Sequence, residues 1–232
     1  MNLELYTKIK IYFLYLFTFK ERAFFRFLIN NIGSSKSQVY QDLFVIYYSK
    51  LKRGGTFIEI GGGNGKTISN TYLHEKKYKW NGVICEPVRK SHKQIKSIRK
   101  AKLEKKPIGK FCKNKIYFFE NNDPYQSSLQ KSENSLKKYQ TDSICLNHLI
   151  KFHKLKKIID YISIDTEGNE IDIIQNFNFK KYKVNFFTIE HNFDSHKRKK
   201  IFDIMIKNKF KRVYTSLSYM DDWYINQKID LS

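Results

Sequence analysis

Four acidic residues stand in or just beyond short apolar runs: Glu59 in Thr56-Phe-Ile-Glu-Ile60, Glu86 after Gly82-Val-Ile-Cys85, Asp165 after Tyr161-Ile-Ser-Ile164, and Glu190 after Asn185-Phe-Phe-Thr-Ile189. Apolar, β-branched runs of this length read as buried strands. In open parallel sheets, ligands bind outside the carboxyl ends of the strands. A single acid there can be explained by the dipole of a following helix. Four at one sheet edge point instead to a binding site. Buried carboxylates need partners, and a ligand carrying hydroxyls and an ammonium group supplies them.

The first run leads into Glu59-Ile-Gly61-Gly-Gly63-Asn-Gly65. Glycines permit positive φ and close backbone approach to a ligand, and a helix after the turn offers free N–H groups. Glu86 falls about twenty residues beyond the last glycine, a spacing at which an acid accepts hydrogen bonds from ribose hydroxyls. The turn alone leaves two ligands open, a nicotinamide dinucleotide and S-adenosylmethionine. Its glycines at 61, 63 and 65 depart from the Gly-x-Gly-x-x-Gly spacing of dinucleotide sites.

These residues must be held by alternating elements. The strand at 56–60 is followed by a helix over 69–79, a strand at 82–85, an exposed basic helix over 89–102 and a third strand at 115–119. A polar loop over 121–142 and a helix over 144–154 come next. Strands at 158–164 and 185–189 then flank a short helix over 169–175. A helix over 196–207 and strands at 210–215 and 223–225 close the chain. Strands alternating with helices imply a parallel sheet with right-handed crossovers, and the last strand pair implies one antiparallel member. The expected fold is a three-layer α/β/α sandwich.

At 232 residues the chain suits one such domain with an N-terminal extension. Its formal net charge is +22, which invites an anionic partner. The basic residues are dispersed, however, and abundant Lys, Asn, Ile, Phe and Tyr with only two Ala suggest lysine filling solvated faces. A nucleic-acid partner is therefore disfavoured, and a phosphate-bearing small substrate serves the charge equally well. Cys85, Cys112 and Cys145 are odd in number and contain no Cys-x-x-Cys pair, which fits a reducing, cytoplasmic setting without structural zinc. The apolar run from Ile11 to Phe19 is too short to span a bilayer. A helix from about Leu5 to Ile29 is expected to pack on its own domain or on a dimer mate, with peripheral membrane contact as the alternative.

Taken together, the motifs resemble the FkbM-type methyltransferases from about Ser37 to Ile225. The likeness rests on Ser37-Gln-Val-Tyr-Gln41-Asp42, Phe57 to Gly65, Ser69-Asn-Thr71, Trp80-Asn-Gly82, Cys85-Glu86-Pro87, Ile159 to Glu170 with its Asp165-Thr-Glu167-Gly-Asn-Glu170, and Thr188-Ile-Glu190-His191-Asn192. The resemblance implies a helical extension over 1–36 and a class I, Rossmann-like methyltransferase domain over 37–232 with a mostly parallel seven-stranded sheet. It also implies S-adenosylmethionine as donor and a hydroxyl acceptor on a carbohydrate, such as a sugar nucleotide for surface polysaccharide. The alternatives are an RNA methyltransferase and a non-catalytic membrane-associated protein. Cofactor contacts would come from Gln41, Asp42, Glu59, Gly61, Gly63, Gly65, Asn70, Glu86, Pro87 and Asp165, with Ser127 and Ser128 reaching cofactor or acceptor. Family members often carry Ala in the glycine turn, where this chain has Gly62 and Gly63, a change expected only to loosen the turn.

Methyl transfer to an aliphatic hydroxyl needs its proton removed. Asp165 or His191 is expected to act as base, with Glu167 and Glu190 nearby. The second route is a hard cation, Mg²⁺ or Mn²⁺, held by Asp165, Glu190 and Asn192. Neighbouring strand-end residues point oppositely, so His191 faces away from the site if Glu190 faces it. Tyr125, Tyr219 and Trp223 are candidates for an apolar wall against a sugar ring.

Overall fold

A computed structural model describes residues 3–17, 19, 21–112, 114–121, 123, 127–129 and 135–229. Its main sheet contains β1 (Thr56–Ile60), β2 (Asn81–Cys85), β3 (Lys102–Glu104), β6 (Ile158–Ile164), β7 (Lys183–Glu190), β8 (Phe210–Val213) and β9 (Asp221–Asn226). Their spatial order is β3-β2-β1-β6-β7-β9-β8. Pairing is parallel from β3 through β7, while β9 runs antiparallel to both neighbours. The antiparallel strand is thus the last in the chain but sits one place in from the edge. Strand order reverses between β1 and β6, and there the carboxyl ends open a crevice.

Side-chain alternation along the strands builds two cores. Ile58 and Ile60 join Val83, Ile162, Phe187 and Tyr224 under α6 (Leu146–Phe152), α7 (Glu170–Gln175) and α8 (Ser195–Lys207). Phe57 points the other way, with Tyr161, Phe186 and Trp223. It meets α2 (Arg22–Asn31), α3 (Gln41–Tyr48), α4 (Tyr72–Lys76) and α5 (His92–Ile98). Helices on both faces of the sheet make the three-layer sandwich that the sequence pattern predicts.

Several expectations need correction. The third sheet strand is Lys102–Glu104, within the span read as a basic helix. That helix stops at Ile98 because Arg99 turns inward to salt-bridge Glu75 and Glu59. The strand at 115–119 leaves the main sheet altogether. As β4 (Lys115–Asn121) it pairs antiparallel with β5 (Ser135–Asp142), which lies in the segment read as loop. The alternating exposed side chains of β5 hide it among polar residues.

This hairpin also overturns the reading of the cysteines. Lys115 pairs with Asp142, so the residues flanking the hairpin meet, and Cys112 and Cys145 are joined by a disulfide. Cysteine spacing therefore gives no argument for a reducing compartment. The expected single N-terminal helix is two, α1 (Leu3–Phe17) and α2. Phe24 and Phe25 of α2 pack on Tyr214, and Phe24 also meets Tyr47 and Tyr48, so α2 belongs to the second core.

Candidate active site

The glycine turn is tied into the sheet before any ligand is considered. Gly61 and Gly62 both donate to the Cys85 carbonyl at the end of β2, and Asp165 N–H donates to the Ile60 carbonyl. Gly61, Gly63 and Gly65 all have positive φ. A Cβ on Gly61 would stand 1.7 Å from the Asp165 carbonyl oxygen, so only glycine fits between the two strand ends. A Cβ on Gly62 would come within 2.2 Å of the Ile84 side chain. Ala at 62 would therefore force Ile84 to move, rather than merely tighten a loose turn.

Glu86 sits beside this turn. Its carboxyl accepts from Gly63 N–H and Val88 N–H, each at 2.7 Å. Burial outweighs those bonds and raises its pKa to about 8.

On the far side of the crevice three carboxyl groups converge. Oxygens of Asp165, Glu167 and Glu190 lie within 4.8 Å of one another. Burial, then the Glu190 charge, pushes Asp165 well above the usual carboxylate range. Burial and the Glu167 charge push Glu190 up in the same way. Asp221, on β9, is raised to about 7, chiefly by burial, although Gln41 donates to it at 2.6 Å. Among the described residues one cation answers this group. Lys197 Nζ is 2.7 Å from Glu170 and 3.6 Å from Glu190 Oε2, which accepts no hydrogen bond from a described residue.

Between the turn and this acid cluster lies a cavity of about 620 Å³. Gly61, Gly63, Asn70, Glu86 and Pro87 form one side, and Asp165, Glu167, Glu190 and Asn192 the other. Ser127, Ser128, Asn121 and Phe118 come from the hairpin region. Among the described residues no lysine or arginine lines the cavity.

A glycine turn, the buried Glu86 carboxyl beside it and an acidic crevice at the point of strand reversal suit a nucleoside ligand carrying positive charge. The model of the methyltransferase FkbM domain matches residues 59–222, which span all three features. The chain belongs to the FkbM methyltransferase family. Its members use S-adenosylmethionine, which has the required nucleoside, sulfonium and ammonium groups.

No curated protein matches the sequence significantly. Among solved structures, this FkbM methyltransferase is similar to a precorrin-6y C5,15-methyltransferase from Geobacter metallireducens. Sequence identity is 9%, the TM-score is 0.45, and the alignment covers 79% of this chain and 85% of that one. It is also similar to the METTL16 methyltransferase domain, at 10% identity and TM-score 0.46, covering 78% of this chain and 63% of the other.

Several residues expected at the site of the methyltransferase lie behind its walls. Glu59 is buried beneath the turn, where Ser69 Oγ, Asn70 N–H and Thr71 Oγ1 donate to it and Arg99 stands at 3.5 Å. It shapes the loop that presents Asn70, but it does not line the cavity. Gly65 packs on α5, where a Cβ would be 3.1 Å from Ile95. Asp42 accepts from Ser35 Oγ, Lys36 N–H and Leu43 N–H at the start of α3, and Gln41 holds Val39 and Asp221. From that segment Gln38 lines the cavity instead.

His191 turns away as strand alternation requires: its Nδ1 accepts from Phe193 N–H, and Nε2 is 4.0 Å from Asp222. Trp223 is fully buried and stacked on Phe44, so it cannot face a sugar. Tyr219 is on the surface, and Tyr125 lies outside the described residues.

The sequence reading missed Lys197, hidden in the basic run from His196 to Lys200. A signal was present. Lys197 precedes the buried Ile201 and Met205 by one and two helical steps of four, so it shares their inward stripe.

Proposed function

We propose that this methyltransferase transfers the S-adenosylmethionine methyl group to a hydroxyl oxygen of a carbohydrate, presented as a sugar nucleotide in surface-polysaccharide synthesis. The observation that carries the reading is an acid-rich cavity whose polar groups outnumber the charges that neutralise them. Asn70, Asn121, Ser127, Ser128, Asn169 and Asn192 line it with groups suited to hydroxyls. The converging carboxyls of Asp165, Glu167 and Glu190 would repel an RNA backbone inside it. The diphosphate of a sugar nucleotide would stay at the rim, where Arg89, Lys105 and Lys106 lie two residues or fewer from the lining Pro87 and Pro107 in sequence.

Transfer from a sulfonium is an in-line displacement, so alignment of acceptor oxygen and methyl carbon supplies much of the rate. The oxygen–carbon bond forms as the carbon–sulfur bond breaks, and the hydroxyl proton passes to the Asp165–Glu167–Glu190 cluster. A carboxylate whose pKa is raised by burial is, once ionised, a stronger base than an ordinary one. The same three groups would fit a hard cation such as Mg²⁺ or Mn²⁺, with Glu190 Oε2, which Lys197 approaches only to 3.6 Å, as the clearest ligand atom. Such an ion would lower the pKa of the acceptor hydroxyl. Asn192 also borders the cavity.

The test is mass spectrometry of a panel of sugar nucleotides and RNA incubated with the protein and S-adenosylmethionine, with and without a chelator. A singly methylated sugar nucleotide supports the reading, and methylated RNA with unmodified sugars overturns it. Activity that survives the chelator assigns proton removal to the carboxyls alone.

A further inference from the structure

Helix α1 reverses the usual division between a buried apolar side and a polar outer side. Thr7 and Ile11 face inward and are buried. Leu5, Ile9, Tyr12, Phe13 and Leu16 follow helical spacing along the outer side, and each is more than half exposed. The apolar surface continues beyond the helix. Tyr6 meets Tyr219 at 6.5 Å between ring centres, and Tyr219 meets Phe193 edge-on at 4.7 Å. Phe193 is 58% exposed. It directly follows Asn192, and Tyr219 directly precedes Met220, both of which line the cavity. The stripe therefore runs from the N-terminal helix to the cavity rim.

Cations border it. Lys10 lies over the Tyr6 ring at 5.3 Å, Arg22 over Phe19 at 4.6 Å, and Arg26 beside Tyr15 at 6.0 Å. Between residues 5 and 41 the sequence contains one acid, Glu21, against Lys8, Lys10, Lys20, Arg22, Arg26 and Lys36. Contiguous exposed apolar surface of this kind marks an interaction site. Among the described residues no helix is long and apolar enough to cross a membrane.

We propose that the stripe formed by α1, Tyr219 and Phe193 docks the protein on an anionic lipid bilayer, with the cavity mouth beside the membrane surface. Charge decides between a bilayer and a second copy of the chain. Two copies joined through α1 would oppose Lys8, Lys10, Arg22 and Arg26 of each, on chains of net charge +22. Anionic headgroups complement those residues while the acyl boundary takes the aromatic and aliphatic side chains.

The experiment is co-sedimentation of the full chain with vesicles of phosphatidylglycerol and phosphatidylcholine, and with vesicles of phosphatidylcholine alone. Wild type is compared with the double variant Ile9→Glu/Phe13→Glu. Both changed residues are exposed, so circular dichroism and melting temperature should match wild type. Binding to the anionic vesicles is expected, weaker on neutral ones, and reduced about tenfold or more in the variant. Failure to bind anionic vesicles, or equal binding by the folded variant, overturns the proposal. So does a wild-type dimer in analytical ultracentrifugation that the same variant converts to monomer. None of these readouts depends on methyl transfer.

Discussion

Two groups of buried carboxyls lie near the same edge of the sheet, and the protein neutralises them in opposite ways. Beneath the glycine turn, Glu59 and Glu75 share Arg99, whose guanidinium also reaches the Gly65 carbonyl, Ser69 Oγ and Thr71 Oγ1. Glu75 additionally accepts from the N–H groups of Lys100 and Ala101. Burial raises the Glu75 pKa, but those two N–H groups and Arg99 outweigh it and leave the group below its ordinary value. Across the crevice, Asp165, Glu167, Glu170, Glu190 and Asp221 share Lys197. There the pKa values of Asp165, Glu167, Glu190 and Asp221 rise. Glu59 and Glu75 therefore serve the fold, while among the described residues the second cluster holds more carboxyls than cations. The first group is complete in itself; the second is completed by protons or by a cationic ligand.

The comparison breaks most visibly at Arg99. Arg99→Ala should leave two buried carboxylates without their cation and cost about 3–5 kcal/mol of stability. Urea denaturation measures this, and a loss under about 1 kcal/mol would show that Glu59 and Glu75 are satisfied by hydrogen bonds alone.

A smaller effect is expected in the pH dependence of the ligand-free protein. Groups with raised folded pKa values hold their protons more tightly when folded. Their stabilisation is complete below the unfolded carboxylate range and is lost as pH rises through the folded values, about 7 for Asp221 and about 8 for Glu86. Several groups work in the opposite sense, among them Glu75, His74, His92 and His191. Glu75 loses its contribution as pH falls below its ordinary range. Buried His74, lowered to about 3, loses its contribution as pH falls below the ordinary histidine value. The melting temperature should therefore fall as pH is raised from about 6 to 9, and Asp165→Asn/Glu190→Gln should flatten that slope. An unchanged slope in the double variant would place the alkaline loss elsewhere.

Much of this was legible in the chain. The strands carrying Glu59, Asp165 and Glu190 announce themselves as apolar runs because they are buried on both faces, and glycine at 61 is demanded by the close approach of Asp165. The rest depended on contacts between residues far apart in sequence. Nothing local separates Glu59, which meets Arg99, from Glu190, which meets a cavity. The β4–β5 hairpin was obscured because its outer side is polar, and the pairing of Cys112 with Cys145 follows only once that hairpin closes. His191 was readable, since strand alternation turns it away from Glu190.

The central claim is that the under-neutralised cluster receives the positive charge of the methyl donor. Isothermal titration of S-adenosylmethionine into wild type and Asp165→Asn, with the melting temperature of each recorded, tests it most directly. One site per chain is expected in wild type. In the variant, affinity should drop about tenfold or more while stability is kept or increased, because an amide at 165 needs no proton taken up to be buried there. Equal affinity in both proteins, or no binding by a folded wild type, would contradict the account.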